Sequence, residues 1–494
     1  MIKDLEFATP ESQGIRSEDI LEFINRLAYR KMNLHSFLMA RNGKIIAEGY
    51  VKPFHKDFEH RLYSASKTFV AMAVGLMVTE GKVKVTDKIA DYLQNYIDNP
   101  LDRWTQDMTI EDCMMMSAPM FPDRDNPAKD PNLRCYNLLN HTKGVYPGGT
   151  LFCYNKAPDL VCAAIKNITG KEFIDYLRPV FDAIGISKDI WCVKTKEDYC
   201  WGGSGIVCTL RDYAKMGEFV LNLGCVNGKQ LIDRDYMEKA TTTRICTLNS
   251  NFYDPLSNCG YGYYTWITPD AFAFRGMGTQ QCFGFRDKDF LFVCQADTQT
   301  TSDNTSAWVY DCVKHLVYDR IGRKKKEGKA YLQLQEALQN LQPPMYGRPH
   351  AAYEQEINGK TYMVKPGNPM GWKNFRFDFD PNGSEGTLTY ENSRGIKKIS
   401  FGIGRLKQGK FPETHYYDKQ LTIPGNREQD CTAVCEWVED QKLLLRVYVI
   451  DHSMGNLFAT FSFVGNEVGL SFRKTAEYFM DDYQGDTSGY LAQE

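Results

Sequence analysis

The sequence predicts an α+β domain followed by a C-terminal all-β domain that is barrel-like. A helical pattern and a hairpin come first, strand-like segments return at 261–266 and 289–293, and aromatic and polar residues alternate from residue 375 onward. The length of 494 residues is also too great for one ordinary domain. Together these observations predict a large mixed domain and a smaller β domain.

The first elements are a helix and a β-hairpin. Apolar residues recur at helical spacing through residues 13–32, after an acidic start at 17–19. Strands are then predicted over 35–40 and 44–50, because Asn42-Gly43 between two apolar runs is a strong hairpin signal.

The middle of the chain alternates between irregular loop and helix. Residues 116–150 are rich in Pro, Asn, Asp and Gly and indicate a loop region, whereas 157–185 return to a helical pattern. The two strand-like segments named above flank Arg275-Gly276-Met277-Gly278 and look like neighbouring strands, and a helix near 303–319 closes the domain. We expect strands from the beginning and the end of this domain to pair beside each other in one sheet.

Composition divides the chain into three parts. Residues 1–322 form the first domain, and 323–345 form a linker that begins with a basic run and contains a short helix. Residues 346–494 form the β-rich domain, in which 375–380 alternates between aromatic and polar residues. We predict that this domain is a meander curled into a barrel.

The charge balance argues against several classes of partner. The chain has 59 Lys and Arg against 62 Asp and Glu, a net charge of −3, which lacks the basic excess of a nucleic-acid-binding surface. No apolar run approaches the length of a membrane span, and the N-terminus shows no signal-peptide pattern. We therefore expect a cytoplasmic protein that binds neither nucleic acid nor membrane, with its oligomeric state left open.

The cysteines predict free buried thiols. All fifteen are scattered along the chain, and most lie in apolar segments, which is unlike a disulfide framework. Cys431 and Cys435 form a loose pair with no second pair and no nearby histidine, and no His-x-x-x-His pair encloses a Glu. We expect no metal site and no cofactor.

Ser64 and Lys67 are the strongest candidates for chemistry. They lie three residues apart at the start of an apolar helical stretch, so their side chains project from the same helix face. Lys67 can then act as the base for the Ser64 hydroxyl. The unpaired N–H groups of a helix start also favour negative charge near Ser64.

The Ser-x-x-Lys pattern alone does not identify a catalytic serine, because it recurs at Ser471 and Lys474. That second copy lies in an alternating, strand-like stretch, where residues three apart face opposite sides of a sheet. The helical context therefore favours Ser64 over Ser471.

Two other segments supply candidate partners for Ser64. Tyr154 is followed two residues later by Lys156, and a phenol held between ammonium groups can act as a base for Ser64 and an acid for a leaving group. The small residues of Arg275-Gly276-Met277-Gly278 let a backbone approach an acyl group and give one N–H to an oxyanion. The alternative interpretations are that Tyr154 is an ordinary core tyrosine and that the segment at 275–278 is only a tight bend.

In this order and spacing, Ser64-x-x-Lys67, Tyr154 and the Arg275-Gly276-Met277-Gly278 segment resemble the motifs of the serine β-lactamase-related hydrolases. This family includes class C β-lactamases and penicillin-binding-protein-like enzymes, D-aminopeptidases, family VIII esterases and 6-aminohexanoate-dimer hydrolases. The resemblance spans roughly residues 8–320 and is closest to the dimer hydrolase and esterase branch. It implies a β-lactamase/transpeptidase-like fold, with helices flanking an antiparallel sheet and a second, all-helical lobe.

The resemblance also implies the role of each residue. Ser64 is expected to be acylated, Lys67 and Tyr154 to transfer protons, and the backbone amides of Ser64 and Met277 to bind the oxyanion. Gly276 and Gly278 are expected to lie beside the substrate.

Two departures from the family's motifs concern the substrate. Lys156 stands where the family usually has Asn or Ser, and Arg275 stands where it usually has Lys or His. Arg275 is expected either to bind a substrate carboxylate or to brace its strand. We predict a serine hydrolase of a small amide or ester, with a catalytically silent binding protein, a β-lactamase or a D-aminopeptidase as alternatives.

Overall fold

The computed structural model of the protein describes residues 6–248, 250, 252, 254–299, 305–323, 328–414, 428–451, 454–476 and 480–493. Part of the basic run in the predicted linker, 324–326, lies outside the described residues, as do 303–304 of the predicted closing helix and 415–427 of the predicted β domain. The division of the chain at residues 322 and 345 stays a prediction.

Up to residue 299 the described chain contains strands that form one large sheet and three small ones. They are β1 (Glu6–Phe7), β2 (Leu34–Arg41), β3 (Lys44–Tyr50), β4 (His60–Arg61), β5 (Met120–Pro122), β6 (Thr142–Gly144), β7 (Trp191–Cys192), β8 (Ile206–Cys208), β9 (Cys225–Val226), β10 (Lys229–Gln230), β11 (Trp266–Ile267), β12 (Phe272–Gly276), β13 (Gln280–Phe285) and β14 (Phe290–Ala296).

The large sheet has the strand order β1-β3-β2-β14-β13-β12-β11, and its neighbours are antiparallel except for β1 and β3. The predicted hairpin joins β2 to β3, where Asn42 and Gly43 have φ of 50° and 69°, as a two-residue turn of this hand requires. Because β14 pairs with β2, strands from both ends of the segment lie side by side, as predicted.

The predicted strand at 261–266 is wrong over most of its length, since only Trp266–Ile267 is a strand. The chain turns back within the segment: Tyr264 has a φ of 50°, and the amide of Gly262 donates to the carbonyl oxygen of Thr265 at 2.8 Å. The prediction also missed β13, so β11 and β14 are separated by two strands and are not neighbours.

Helices lie on both faces of this sheet, in a lobe beside it and, for the last helix, directly before the barrel. They are α1 (Ser17–Tyr29), α2 (Ser66–Thr79), α3 (Arg103–Asp107), α4 (Ile110–Met114), α5 (Cys135–Asn140), α6 (Pro158–Thr169), α7 (Phe173–Tyr176), α8 (Arg178–Ile184), α9 (Leu210–Leu221), α10 (Arg234–Ala240), α11 (Thr305–Leu316), α12 (Lys329–Gln339) and α13 (Glu354–Ile357). The ring of Phe23 in α1 contacts Phe292, whereas Gly217 in α9 lies against Leu291. Successive strand residues point to opposite faces, so α1 and α9 pack on opposite sides.

Helix α2 is the centre of the helical lobe. Its residues are buried from Ser66 to Met77 on every side, as expected of a helix that is apolar all round. It packs against α6 and α7, and α6 packs in turn against α4 and α5. A 3-10 turn at Tyr63–Ala65 leads directly into α2 and lies against β12. This packing places the start of α2 between the lobe and the sheet.

The second part of the described chain is a β-barrel, as predicted. Its strands are β15 (Thr361–Val364), β16 (Asn374–Phe379), β17 (Glu385–Asn392), β18 (Gly395–Ile403), β19 (Lys407–Phe411), β20 (Gln429–Glu439), β21 (Lys442–Ile450), β22 (Met454–Val464), β23 (Glu467–Ala476) and β24 (Gly485–Leu491). The order β18-β17-β16-β15-β24-β23-β22-β21-β20 closes on itself, because the end of β18 also pairs with β20. Strand β19 pairs with the same edge of β20 as β18, opposite β21.

The barrel packs against the turn that precedes α2. The amide of Met454, at the start of β22, donates to the Tyr63 hydroxyl at 3.0 Å. Tyr448 and Ile450 of β21 are buried in the same core as the first sheet. Helix α12, within the predicted linker, packs on α1 and β3. The barrel therefore contacts the residue directly before Ser64.

Candidate active site

Ser64 and Lys67 lie within hydrogen-bonding distance. Ser64 lies in the 3-10 turn Tyr63–Ala65, and α2 begins at Ser66. The expectation that Ser64 begins the α-helix is therefore wrong by two residues. Lys67 Nζ lies 2.8 Å from Ser64 Oγ and 2.6 Å from the carbonyl oxygen of Gly203. Lys67 is 5% exposed, and these two contacts hold its amine beside the hydroxyl.

The turn that carries Ser64 is held from several sides. Tyr63 has a positive φ of 50°, which is unfavourable for a bulky residue and persists only where the surroundings enforce it. The guanidinium of Arg61 lies 4.3 Å from the centre of the Tyr63 ring and donates to the carbonyl oxygen of Ser204 at 2.9 Å. Together with Met454, these contacts fix the direction in which Ser64 points.

The end of β12 lies against this turn because residue 276 is glycine. A Cβ atom at Gly276 would lie 2.2 Å from the carbonyl oxygen of Leu62, two residues before Ser64. Met277 follows at 40% exposure, and Gly278 has a φ of 75°, which completes the turn into β13. The glycines thus bring the backbone of the β12–β13 turn close to the nucleophile candidate.

Tyr154 lies on the other side of Lys67. Its ring centre is 4.9 Å from Lys67 Nζ, and the ring stacks on Trp266 at 5.8 Å. The neighbouring Asn155 fixes this segment, since its side chain donates to the carbonyl oxygen of Ala118 at 3.1 Å and accepts from the amide of Ala157 at 2.9 Å. The Tyr154 phenol is therefore held by its aromatic and polar neighbours.

These residues surround one cleft of about 610 Å³. The described residues that line it come from the turn at Ser64, the segment around Tyr154, residues 252 and 254–257, β11 to β13, residues 298–299 after β14, the start of α11, and the barrel. They are Ser64, Tyr154, Phe252, Asp254, Ser257, Trp266, Arg275, Gly276, Met277, Gly278, Thr279, Gln281, Thr298, Gln299, Thr305, Ser306 and Thr475. Thr475 belongs to β23, so the barrel supplies part of the cleft wall.

The two departures from the family's motifs are placed differently. Arg275 lines the cleft, where it forms an ion pair with Asp254 and donates to Ser257 Oγ at 3.0 Å. Burial lowers the pKa of the Arg275 guanidinium, and Asp254 opposes this effect. Lys156 is exposed and is absent from the described residues that line the cleft. The geometry thus brings Arg275 to the cleft and leaves Lys156 at its outside.

The second Ser-x-x-Lys pattern has no such setting. Ser471 and Lys474 lie within strand β23, where side chains three apart point to opposite faces. The structure therefore separates the two copies as the sequence context predicts.

Three contributions to the site have no signal in the sequence. The carbonyl oxygen of Gly203 accepts from Lys67, Asp254 pairs with Arg275, and Thr475 lines the cleft. Each comes from a distant part of the chain. In the described ranges no cluster of three or more His, Cys, Asp or Glu has the arrangement of a metal site, and no helix there is long and apolar enough to span a membrane.

Comparison with known proteins identifies the family of the chain. Residues 35–309 match the family model described as Beta-lactamase, which is more than half of the 494-residue chain. The chain belongs to the beta-lactamase family. The resemblance inferred from the motifs is thereby confirmed.

This beta-lactamase family member is 22% identical over 284 residues to the 6-aminohexanoate-dimer hydrolase of Paenarthrobacter ureafaciens, an alignment that covers 53% of this chain and 71% of that protein. A solved family VIII carboxylesterase is similar with a TM-score of 0.51 and 15% identity, over 64% of this chain and 98% of that one. The octameric penicillin-binding protein homologue from Pyrococcus abyssi has a TM-score of 0.46 and 14% identity, over 96% of this chain and 99% of that one. The chain is related to amide and ester hydrolases.

Proposed function

We propose that the protein is a serine hydrolase that cleaves a small amide or ester through an acyl intermediate on Ser64. The observation that carries this proposal is the 2.8 Å contact between Lys67 Nζ and Ser64 Oγ at the edge of a cleft that Tyr154 also lines. Nucleophile, base and a second proton-transfer group therefore meet at one open site.

In the acylation step the Lys67 amine accepts the hydroxyl proton while Ser64 Oγ forms a bond to the carbonyl carbon. The bond to the leaving amine or alcohol breaks, and Tyr154 returns a proton to that leaving group. The backbone amides of Ser64 and Met277 are proposed to stabilise the oxyanion, and the tight approach of Gly276 to Leu62 supports their convergence. A water molecule then loses a proton to the Tyr154 phenolate and attacks the acyl carbon. The bond from that carbon to Ser64 Oγ breaks, Oγ takes back its proton from the Lys67 ammonium, and the acid is released.

The experiment is a substrate screen of the purified protein, with short-chain esters, D-amino-acid amides, linear amide dimers and a chromogenic cephalosporin. We expect turnover of at least one ester or amide. Ser64→Ala should lower kcat/KM by at least about 10³-fold, because it removes the bond-forming oxygen. Lys67→Met should lower it by about 10²–10⁴-fold through loss of the base.

Ser471→Ala is the matched control, since it removes the serine of the second Ser-x-x-Lys pattern and should leave kcat/KM within about twofold of wild type. Equal activity of Ser64→Ala and wild type would contradict the proposed mechanism. A folded wild-type protein that turns over no member of the screen would favour the silent binding protein, and turnover of the cephalosporin alone would favour a β-lactamase.

A further inference from the structure

The cleft contains one opposite-charge pair. Among the described residues that line it, Asp254 and Arg275 are the two with charged side chains. They form an ion pair with each other, so the described lining of the cleft carries no net charge. Phe252, Trp266 and Tyr154 also line the cleft, where the rings of Tyr154 and Trp266 both contact the ring of Phe252. An entering ligand therefore meets aromatic rings and a neutralised cation.

Two of the three guanidinium nitrogens of Arg275 have internal partners, and the third, Nε, is buried without a hydrogen-bond partner among the described residues. Arg275 Nη2 binds the Asp254 carboxylate, Nη1 donates to Ser257 Oγ at 3.0 Å, and the guanidinium centre lies 5.2 Å from the Trp266 ring centroid. The side chains of Arg275 and Asp254 are 11% and 5% exposed. A charged pair that is this buried and hydrogen-bonded is costly to separate.

A substrate carboxylate would approach Asp254 as well as Arg275. The negative charge of Asp254 repels it, and displacing Asp254 would leave that carboxylate buried without its partner. A neutral group meets neither cost, since it can pack on the aromatic rings with the ion pair intact.

We propose that Asp254 is a specificity-determining residue that neutralises Arg275, so that the cleft selects substrates without a negative charge at this position. This inference rests on the proposed hydrolase function and names the class of its substrates: uncharged esters or amides with an apolar or aromatic body. It also resolves the two expectations for Arg275, because the arginine braces its strand and does not bind a substrate carboxylate.

The experiment compares two isosteric 4-nitrophenyl esters, the monoester of glutaric acid and its terminal carboxamide analogue, which differ by one negative charge. Wild type should cleave the carboxamide with a kcat/KM at least about tenfold higher. Asp254→Asn should raise the ratio of anionic to neutral kcat/KM by about tenfold or more, since it frees the Arg275 charge. The change is conservative because the Asn side-chain oxygen can still accept from the amide of Leu256, as Asp254 does at 3.0 Å.

Asp254→Asn/Arg275→Gln is the matched control. It removes both charges and should return the ratio to within about threefold of wild type. The gain in the single variant should shrink between 50 mM and 500 mM NaCl, as expected of a charge interaction at a cleft open to solvent.

A wild-type ratio at or above one, or an unchanged ratio in Asp254→Asn, would overturn the proposal. The wild-type ratio is measured without any variant, so it tests the proposed selectivity even where Asp254→Asn does not fold. Failure of the hydrolase function has a different signature, namely no release of nitrophenol by wild type from either ester. In that case the two acid-side products, glutarate and glutaramate, are titrated against wild type by calorimetry, and tighter binding of glutarate would overturn the selectivity.

Discussion

Replacing Gly276 by alanine tests whether the close approach of β12 to the Ser64 turn is needed for catalysis. The added Cβ atom would lie 2.2 Å from the carbonyl oxygen of Leu62 and 3.0 Å from Cβ of Gln280. Real Cβ atoms essentially never approach another atom within 3.0 Å. The strand and the turn must therefore separate by at least about 0.8 Å, the difference between this limit and the 2.2 Å distance to the Leu62 oxygen.

This displacement acts on activity more than on folding. A misplacement of about 1 Å at a reacting centre costs about 10²-fold in rate, and loss of one oxyanion donor costs about 10²–10³-fold. We therefore expect Gly276→Ala to lower kcat/KM by about 10²-fold or more. Overpacking at one buried position destabilises a domain by about 1–3 kcal/mol, which leaves the protein folded at 25 °C.

The assay is steady-state hydrolysis of the best ester from the screen, with circular dichroism to verify folding. Gly409→Ala in β19 is the matched control, because its Cβ would lie 3.9 Å from the nearest atom, a carbonyl oxygen of Ser400. We expect its activity to stay within about twofold of wild type. A folded Gly276→Ala protein with more than one third of wild-type kcat/KM would refute the reasoning that the β12 backbone takes part in the reaction.

Two other predictions concern acid stability and the barrel. Nδ1 of His35 and Nε2 of His60 lie 2.8 Å apart in the core, and burial lowers both pKa values, that of His60 to about 4. Below pH 6.5 the unfolded chain therefore binds more protons than the folded protein. The free energy of unfolding is highest above pH 6.5 and falls as the pH drops to about 4, by about 3 kcal/mol from His60 alone. Urea unfolding between pH 4 and 8 measures this free energy, and a value that does not change with pH would contradict the prediction. Thr475→Trp should narrow the cleft and lower kcat/KM for octanoyl esters at least about tenfold more than for acetyl esters. The control Val464→Trp, at a residue 72% exposed, should leave kcat/KM for both esters unchanged. Equal effects of Thr475→Trp on both esters would show that the barrel does not bound the acyl site.

Local physical chemistry made part of this structure predictable. The Asn42-Gly43 hairpin depends on two residues that accept positive φ, and the contact between Ser64 and Lys67 depends on one turn of backbone. The barrel strand Asn374–Phe379 follows from simple alternation of aromatic and polar residues. In each case the determining residues are neighbours in sequence.

The parts that sequence did not predict depend on contacts between distant segments. Gly203 lies 136 residues from the lysine that it binds, and Thr475 reaches the cleft from the other domain. Asp254 pairs with Arg275 across 21 residues, through a turn at 262–265 where a strand was expected. Contacts between distant segments depend on how the elements pack in three dimensions, so no short sequence motif predicts them.

Mass spectrometry of the phosphonylated enzyme tests whether Ser64 is the nucleophile. Wild type, Ser64→Ala and Lys67→Met are each treated with a fluorophosphonate, and the digested protein is searched for the peptide that contains residue 64. We expect one phosphonyl adduct on Ser64 in wild type, a strongly reduced amount of it in Lys67→Met, and none in Ser64→Ala. An adduct on another residue, such as the buried neighbour Ser66, or equal labelling of wild type and Ser64→Ala, would contradict this expectation.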